Sequence, residues 1–158
     1  MITPERLREL IHYDPETGTF RWAMMRKGCR VGDIVGSIDS HGYRVIRLNW
    51  KIYNAHRLAW LYMTGVWPRN QIDHKDLNKS NNKWNNLREA TYSQNQANRR
   101  PYSGLKGVSF FKRDRKWKAQ IKVRGNAMHI GYYDCPAAAH FAYLIEADKH
   151  FGEFARAS

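Results

Sequence analysis

Between Gln71 and Gln96 the chain carries a pattern that few folds accommodate. Five asparagines (Asn78, Asn81, Asn82, Asn85 and Asn86) crowd into nine positions. Asparagine side chains bond to nearby backbone and so compete with regular helix and sheet. A long ordered loop is the consequence. Strand-like runs flank it, at Gln71–His74 and Leu87–Ala90. Thr91 then stands as an N-cap before a helix starting near Tyr92. The spacing predicts a β-β-α unit in which Asp73 and His74 end the first strand and Asn95 falls in the first turn of the helix.

That placement brings together residues with complementary chemistry. Hydrolysis of a phosphodiester needs an activated water, neutralised phosphate charge and assistance to the leaving oxygen. Asp73 offers a carboxylate and Asn95 an amide carbonyl, hard oxygen donors suited to Mg²⁺ or Mn²⁺. His74 follows Asp73, so on a strand the two side chains face opposite ways. Histidine titrates near neutral pH and can accept a proton from water. A ring used as a base needs its second nitrogen held, either by Asn86 or by a backbone carbonyl nearby. The plain alternative is that Asp73 and His74 only begin a turn. Asp76 reads as a turn former.

The remaining sequence points to a polyanionic partner. The chain has 158 residues, with 27 Lys+Arg against 14 Asp+Glu, hence a net charge of +13 and a pI near 10. Nucleic acid is the first candidate for such a balance. An anionic membrane surface fits less well, because no apolar run of membrane-spanning length occurs and Met1–Glu5 is no signal peptide. A cytoplasmic protein is expected. The two cysteines, Cys29 and Cys135, form no C-x-x-C pair and read as reduced thiols.

Upstream, Thr3 caps a short helix with Pro4 at its first position. The turn Asp14–Gly18 leads to a strand at Phe20–Trp22. Tyr43–Leu48 and Lys51–Tyr53 form a basic hairpin around Asn49-Trp50, and His56–Tyr62 has helical spacing that stops near Gly65 and Pro68. Downstream of a polar linker, Gly107–Phe111, Trp117–Val123 and Met128–Tyr133 read as three strands. Pro136 to about Phe151 reads as a helix with Ala138, Phe141, Ala142, Ile145 and Ala147 towards the sheet. Residues 104–130 hold eight Lys/Arg and one acid, so more than half of the net charge lies there.

Residues 54–98 resemble an HNH nuclease of the ββα-metal group, in the form found in phage and intron-encoded homing endonucleases. The resemblance rests on His56-Arg57-Leu58-Ala59-Trp60, Ile72-Asp73-His74-Lys75-Asp76-Leu77-Asn78-Lys79-Ser80-Asn81-Asn82, Asn86-Leu87-Arg88-Glu89-Ala90-Thr91 and Asn95. It implies that Asp73 and Asn95 are metal ligands, His74 the general base and Asn86 the residue that orients the site. One divalent ion, Mg²⁺ or Mn²⁺, is implied, with no structural zinc because the zinc-stapled variety carries cysteine pairs. His56 is assigned to packing or capping rather than catalysis.

Residues 104–154 resemble an AP2/ERF-type DNA-binding domain through Lys106-Gly107-Val108, Lys116-Trp117-Lys118-Ala119-Gln120-Ile121 and Ile130-Gly131-Tyr132-Tyr133-Asp134. At matching positions this implicates Lys106, Ser109, Gln120, Lys122 and His129 in reading double-stranded DNA. Arg113, Arg115, Lys116, Lys118 and Arg124 are expected at phosphates, with Trp117 and Phe141 in the core.

The expected fold is therefore α+β. A ββα-metal unit with an N-terminal, hairpin-containing extension spans 1–98 (core about 54–98), a linker spans 99–104, and a three-stranded antiparallel sheet with a helix spans 105–158. The expected protein is a metal-dependent DNA endonuclease of homing type, a monomer or weak homodimer without a small-molecule cofactor. A non-catalytic DNA-binding regulator and an RNA-directed protein are the alternatives.

Overall fold

A computed structural model describes residues 1–99 and 104–155. Within these, the chain forms two compact units, Met1–Glu89 and Ala90–Ser158. Of the expected linker, residues 100–103 lie outside the described residues.

The first unit begins with α1 (Pro4–Leu10), where the Thr3 hydroxyl accepts a hydrogen bond from the Arg6 amide. Two strands follow, β1 (Ile11–Asp14) and β2 (Thr19–Trp22), paired antiparallel across the Asp14–Gly18 turn. β1 was not legible in the sequence, because it follows α1 with no intervening breaker. Next come β3 (Ser37–Ile38), β4 (Arg44–Leu48) and β5 (Lys51–Asn54), a three-stranded antiparallel sheet in that order. Then α2 (Ala55–Thr64) ends at Gly65, whose φ of 74° lets its N–H reach the carbonyl of Leu61. Leu7, Leu10, Ile11, Phe20, Ile46, Leu48, Leu58 and Leu61 close the core between these elements. Each such side chain contributes about 1.5–3 kcal/mol of burial.

β6 (Gln71–His74) and β7 (Leu87–Ala90) form a two-stranded sheet, as the sequence predicts. The asparagine-rich loop between them closes with a short 3-10 turn at Trp84–Asn86. α3 (Tyr92–Asn98) starts at Thr91 with a full capping box: Thr91 Oγ1 accepts from the Gln94 amide, and Gln94 Oε1 accepts from the Thr91 amide. Sequence reading groups α3 with residues 54–98. Ala90 and Ala97 pack in the hydrophobic core of the second unit.

That second unit contains β8 (Val108–Phe111), β9 (Lys116–Val123) and β10 (Asn126–Tyr133), an antiparallel sheet ordered β10-β9-β8, and the 16-residue α4 (Pro136–Phe151). The expected buried stripe of α4 is corrected. Ala139, Tyr143, Ala147 and Phe151 are buried, at the i, i+4 spacing of one helix face. Phe141 and Ile145 lie two residues out of that phase and are exposed, Phe141 by 66%. Alanines around most of the helix left its inner face ambiguous, and Tyr143 decides it. Gly107, with φ 73°, lies so close that a Cβ there would overlap the Tyr143 ring.

Candidate functional site

Three aromatic rings meet in the first unit. His74 closes β6, His56 comes from the first turn of α2, and Tyr43 stands just before β4. The His56 and His74 centroids are 5.0 Å apart, edge to face, and Tyr43 lies 5.3 Å from His56 and 6.1 Å from His74. Both histidines are buried, as is Asp73. His56 thus lines the site rather than only capping a helix.

Nε2 of His74 meets Oδ1 of Asn82 at 3.2 Å. The amide of Asn82 is oriented by its own nitrogen, which donates to the carbonyl of Ser80 at 3.1 Å. The oxygen so placed can accept a proton carried on Nε2. Asn82 is 1% exposed, and its carbonyl accepts a 2.6 Å hydrogen bond from the Tyr13 hydroxyl. A β1 tyrosine therefore anchors the residue that orients His74.

Asn86 acts within the loop. Its Oδ1 accepts from the Asp76 amide, and its Nδ2 donates to Asp76 Oδ1 and to the Asn81 carbonyl. The Lys75 amide donates to the Asn86 carbonyl, closing the loop at its base. Asp76 also accepts from Asn81 Nδ2 at 2.7 Å and from the Asn78 amide. Burial pushes the Asp76 carboxyl up, but the bonds from Asn81, Asn86 and Asn78 outweigh it and hold it below the usual carboxylate range. The asparagines thus clasp an ionised Asp76 at the centre of the loop. Outside the loop, the β1–β2 turn supports it: the Trp84 amide donates to the Pro15 carbonyl at 2.9 Å.

Electrostatics favour a neutral imidazole. Burial lowers the pKa of His74, and Lys79 adds to this, against partial opposition from the Asn82 hydrogen bond and from Asp76 and Asp73. Burial and the neighbouring His74 push His56 down to about 3. His56 Nδ1 is buried with no hydrogen-bond partner among the described residues. Asp73 receives a 3.0 Å ion pair from Nε of Arg88 on β7. Arg88 and Asn82 both lie inside the motif read from the sequence, but nothing local marked them out.

Asn95 is carried by the second unit, half-buried on α3, with its amide bonded to the Thr91 carbonyl. Asp73 carries a carboxylate and Asn95 an amide oxygen, each by itself a hard oxygen donor.

On β9, Lys116, Lys118, Gln120 and Lys122 alternate with Trp117, Ala119, Ile121 and Val123. Ala119 and Ile121 are buried, so the first set points outward. Cross-strand partners share that face: Ser109 opposite Lys118, and His129 opposite Gln120. His129 packs against Tyr132 at 4.6 Å, Tyr132 against Phe111 at 5.2 Å, and the Arg113 guanidinium covers Phe111. Arg115 and Arg124 are exposed at the two tight turns, both with positive φ. Lys106 is not on this face. Its ammonium donates to the carbonyls of Ala97 and Arg99, at the C-terminal end of α3. Trp117 is half-buried and packs on Phe110.

Residues 53–97 match the family model of the HNH endonuclease. The chain is 30% identical over 142 residues to an uncharacterized HNH endonuclease of Acanthamoeba polyphaga mimivirus, covering 89% of this chain and 68% of that protein. It is also 30% identical over 112 residues to protein 3.8 of Escherichia phage T7, covering 68% of this chain and 92% of that protein. Among solved structures, the HNH homing endonuclease I-HmuI aligns with a TM-score of 0.43 and 29% identity. That alignment covers 56% of this chain and spans half (50%) of the length of that structure. The family model and the mimivirus relative define the class, an HNH-type nuclease. The chain belongs to the HNH endonuclease family. No helix of the described residues is long and apolar enough to cross a membrane.

Proposed function

We propose that the chain is a metal-dependent DNA endonuclease of the homing type, acting in a phage or an infected host cell. The observation that carries this reading is His74, buried beside Asp73, with its Nε2 3.2 Å from Oδ1 of Asn82. With Nε2 donating to Asn82, His74 acts as general base through Nδ1, taking a proton from a water that attacks the phosphorus. Because burial keeps the imidazole neutral near pH 7, the base is in its working form. Asp73 and Asn95 would hold one Mg²⁺ or Mn²⁺. When bound, this ion supplies charge neutralisation at the phosphate and the leaving oxygen. Asn86 keeps the loop, and hence Asn82, in place.

The second unit supports a DNA-binding role of AP2/ERF-like kind. It has three antiparallel strands and one helix, with a lysine-rich outward face. Lys116, Lys118, Lys122, Arg113, Arg115 and Arg124 suit phosphates, while Ser109, Gln120 and His129 suit base edges. Lys106, its ammonium bonded to the carbonyls of Ala97 and Arg99, is not part of that outward face.

Supercoiled plasmid incubated with Mg²⁺ tests the proposal. Wild-type protein converts it to nicked or linear forms, and EDTA or His74→Ala stops the conversion. Cleavage that survives His74→Ala would overturn the mechanism. Tight DNA binding without cleavage would favour the regulator reading.

A further inference from the structure

The turn joining β4 to β5 is a two-residue turn, Asn49-Trp50, between the paired Leu48 and Lys51. Both residues have positive φ, 48° and 67°. Asparagine tolerates this region, but the second position of such a turn ordinarily takes glycine. A tryptophan there is strained and adds nothing to the core, since Trp50 is 94% exposed. The fold alone therefore gives no reason for this side chain.

Its surroundings indicate what does. Trp50, Asn49, Arg47 and Arg26 line a concavity of about 450 Å³. Arg47 and Lys51 are exposed on the hairpin, and no acidic residue occurs from Ser40 to Ile72 or from Thr17 to Gly32. A large planar ring at a rigid tip, flanked by uncompensated cations, is complementary to stacked bases between phosphates. A protein surface that is not strongly acidic would leave these charges unbalanced.

We propose that the β4–β5 hairpin is a DNA wedge: the Trp50 indole inserts between adjacent base pairs of duplex DNA while Arg26, Arg47 and Lys51 hold the flanking phosphates. Insertion of this kind unstacks a base step, kinks the duplex and lowers its twist. The inference rests on the proposed DNA reading and adds a mode of contact to it.

Closed circular plasmid, relaxed by a metal-independent type IB topoisomerase with the protein bound in EDTA, reports the change in twist without cleavage. Gel retardation of the same plasmid reports binding separately. Wild-type protein shifts the topoisomer distribution. Trp50→Ala and Trp50→Gly bind at least tenfold more weakly and, at saturation, leave the distribution unshifted. Trp50→Phe retains part of the shift. Thermal melts accompany each variant, and Trp50→Gly melts no lower than wild type because glycine relieves the strained turn. Wild-type protein that retards DNA without shifting topoisomers overturns the wedge and leaves the DNA reading intact. The wedge is likewise overturned if Trp50→Ala shifts them fully, or if Trp50→Gly is destabilised. Failure of wild-type protein to retard DNA removes both.

Discussion

Oδ1 of Asn82 lies 3.2 Å from Nε2 of His74, eight residues before it in the chain. This contact sets which ring nitrogen holds the proton. Asn82→Ala removes the restraint and should lower plasmid cleavage about 10- to 100-fold, as loss of an orienting partner does elsewhere. Asn82→Asp tests the role more sharply. A carboxylate in place of the amide favours the charged imidazole, so His74 titrates at higher pH. The acid side of the activity profile should then move to higher pH. A residue that only supported the loop would lower activity at every pH without moving that limb.

Tyr13 reaches the same asparagine through its backbone. The 2.6 Å bond from its hydroxyl to the Asn82 carbonyl is buried. Tyr13→Phe keeps the ring packed on Phe20 and Tyr62 but leaves the carbonyl unsatisfied. The expected loss is about 1–2 kcal/mol of stability, read from urea unfolding. Activity should fall below wild type even where the variant is fully folded, because Asn82 loses its anchor.

These two residues show where sequence reading stops. β6, β7, the Thr91 cap and the strands of the second unit were legible because alternation, capping and turn chemistry act within a few residues. The placing of His74 beside Asp73 came from the same local signals. Asn82 was one of five similar asparagines, and which of them faces the ring depends on how the whole loop closes. Tyr13 lies 69 residues from the carbonyl it holds, with no local pattern linking them. The inner face of α4 was misjudged for a related reason: alanines gave little contrast between its sides.

Gly18 ties the β1–β2 turn to the loop. Its φ is 71°, and a Cβ there would come within 2.4 Å of the Lys83 nitrogen and 2.5 Å of the Asn82 carbonyl carbon. Both are backbone atoms and cannot rotate away. Gly18→Ala should therefore cost at least about 1 kcal/mol from the left-handed backbone alone, and more from the displaced loop. Melting temperature and cleavage should fall together. A variant with wild-type melting and activity would show that the loop is not braced by this turn.

His56 should make stability depend on pH. Its folded pKa, about 3, lies below the ordinary 6.5. Between these values the unfolded chain binds a proton that the folded chain does not. Stability is therefore fully present above pH 6.5 and declines as pH falls towards 3, by at most about 1.4 kcal/mol per pH unit from this residue. His56→Phe keeps a ring and removes the proton. Urea midpoints at pH 7 and pH 5 should differ less for His56→Phe than for wild type. An equal difference in both proteins would assign the acid sensitivity to other groups.

Arg88 lies against Asp73, Nε to Oδ2 at 3.0 Å, and both side chains are largely buried. Arg88→Met preserves the length of the side chain and removes its charge. Taking one partner from a buried ion pair costs about 3 kcal/mol, so the variant should unfold at lower urea in EDTA. A divalent cation held by Asp73 would restore part of the missing positive charge. Adding Mg²⁺ should then raise the melting temperature of Arg88→Met by more than it raises that of wild type. Introducing Asp73→Asn into the variant should abolish the extra gain, because the amide no longer needs a counter-charge. Equal Mg²⁺ effects in wild type, Arg88→Met and the double variant would count against Asp73 as the metal-holding carboxylate.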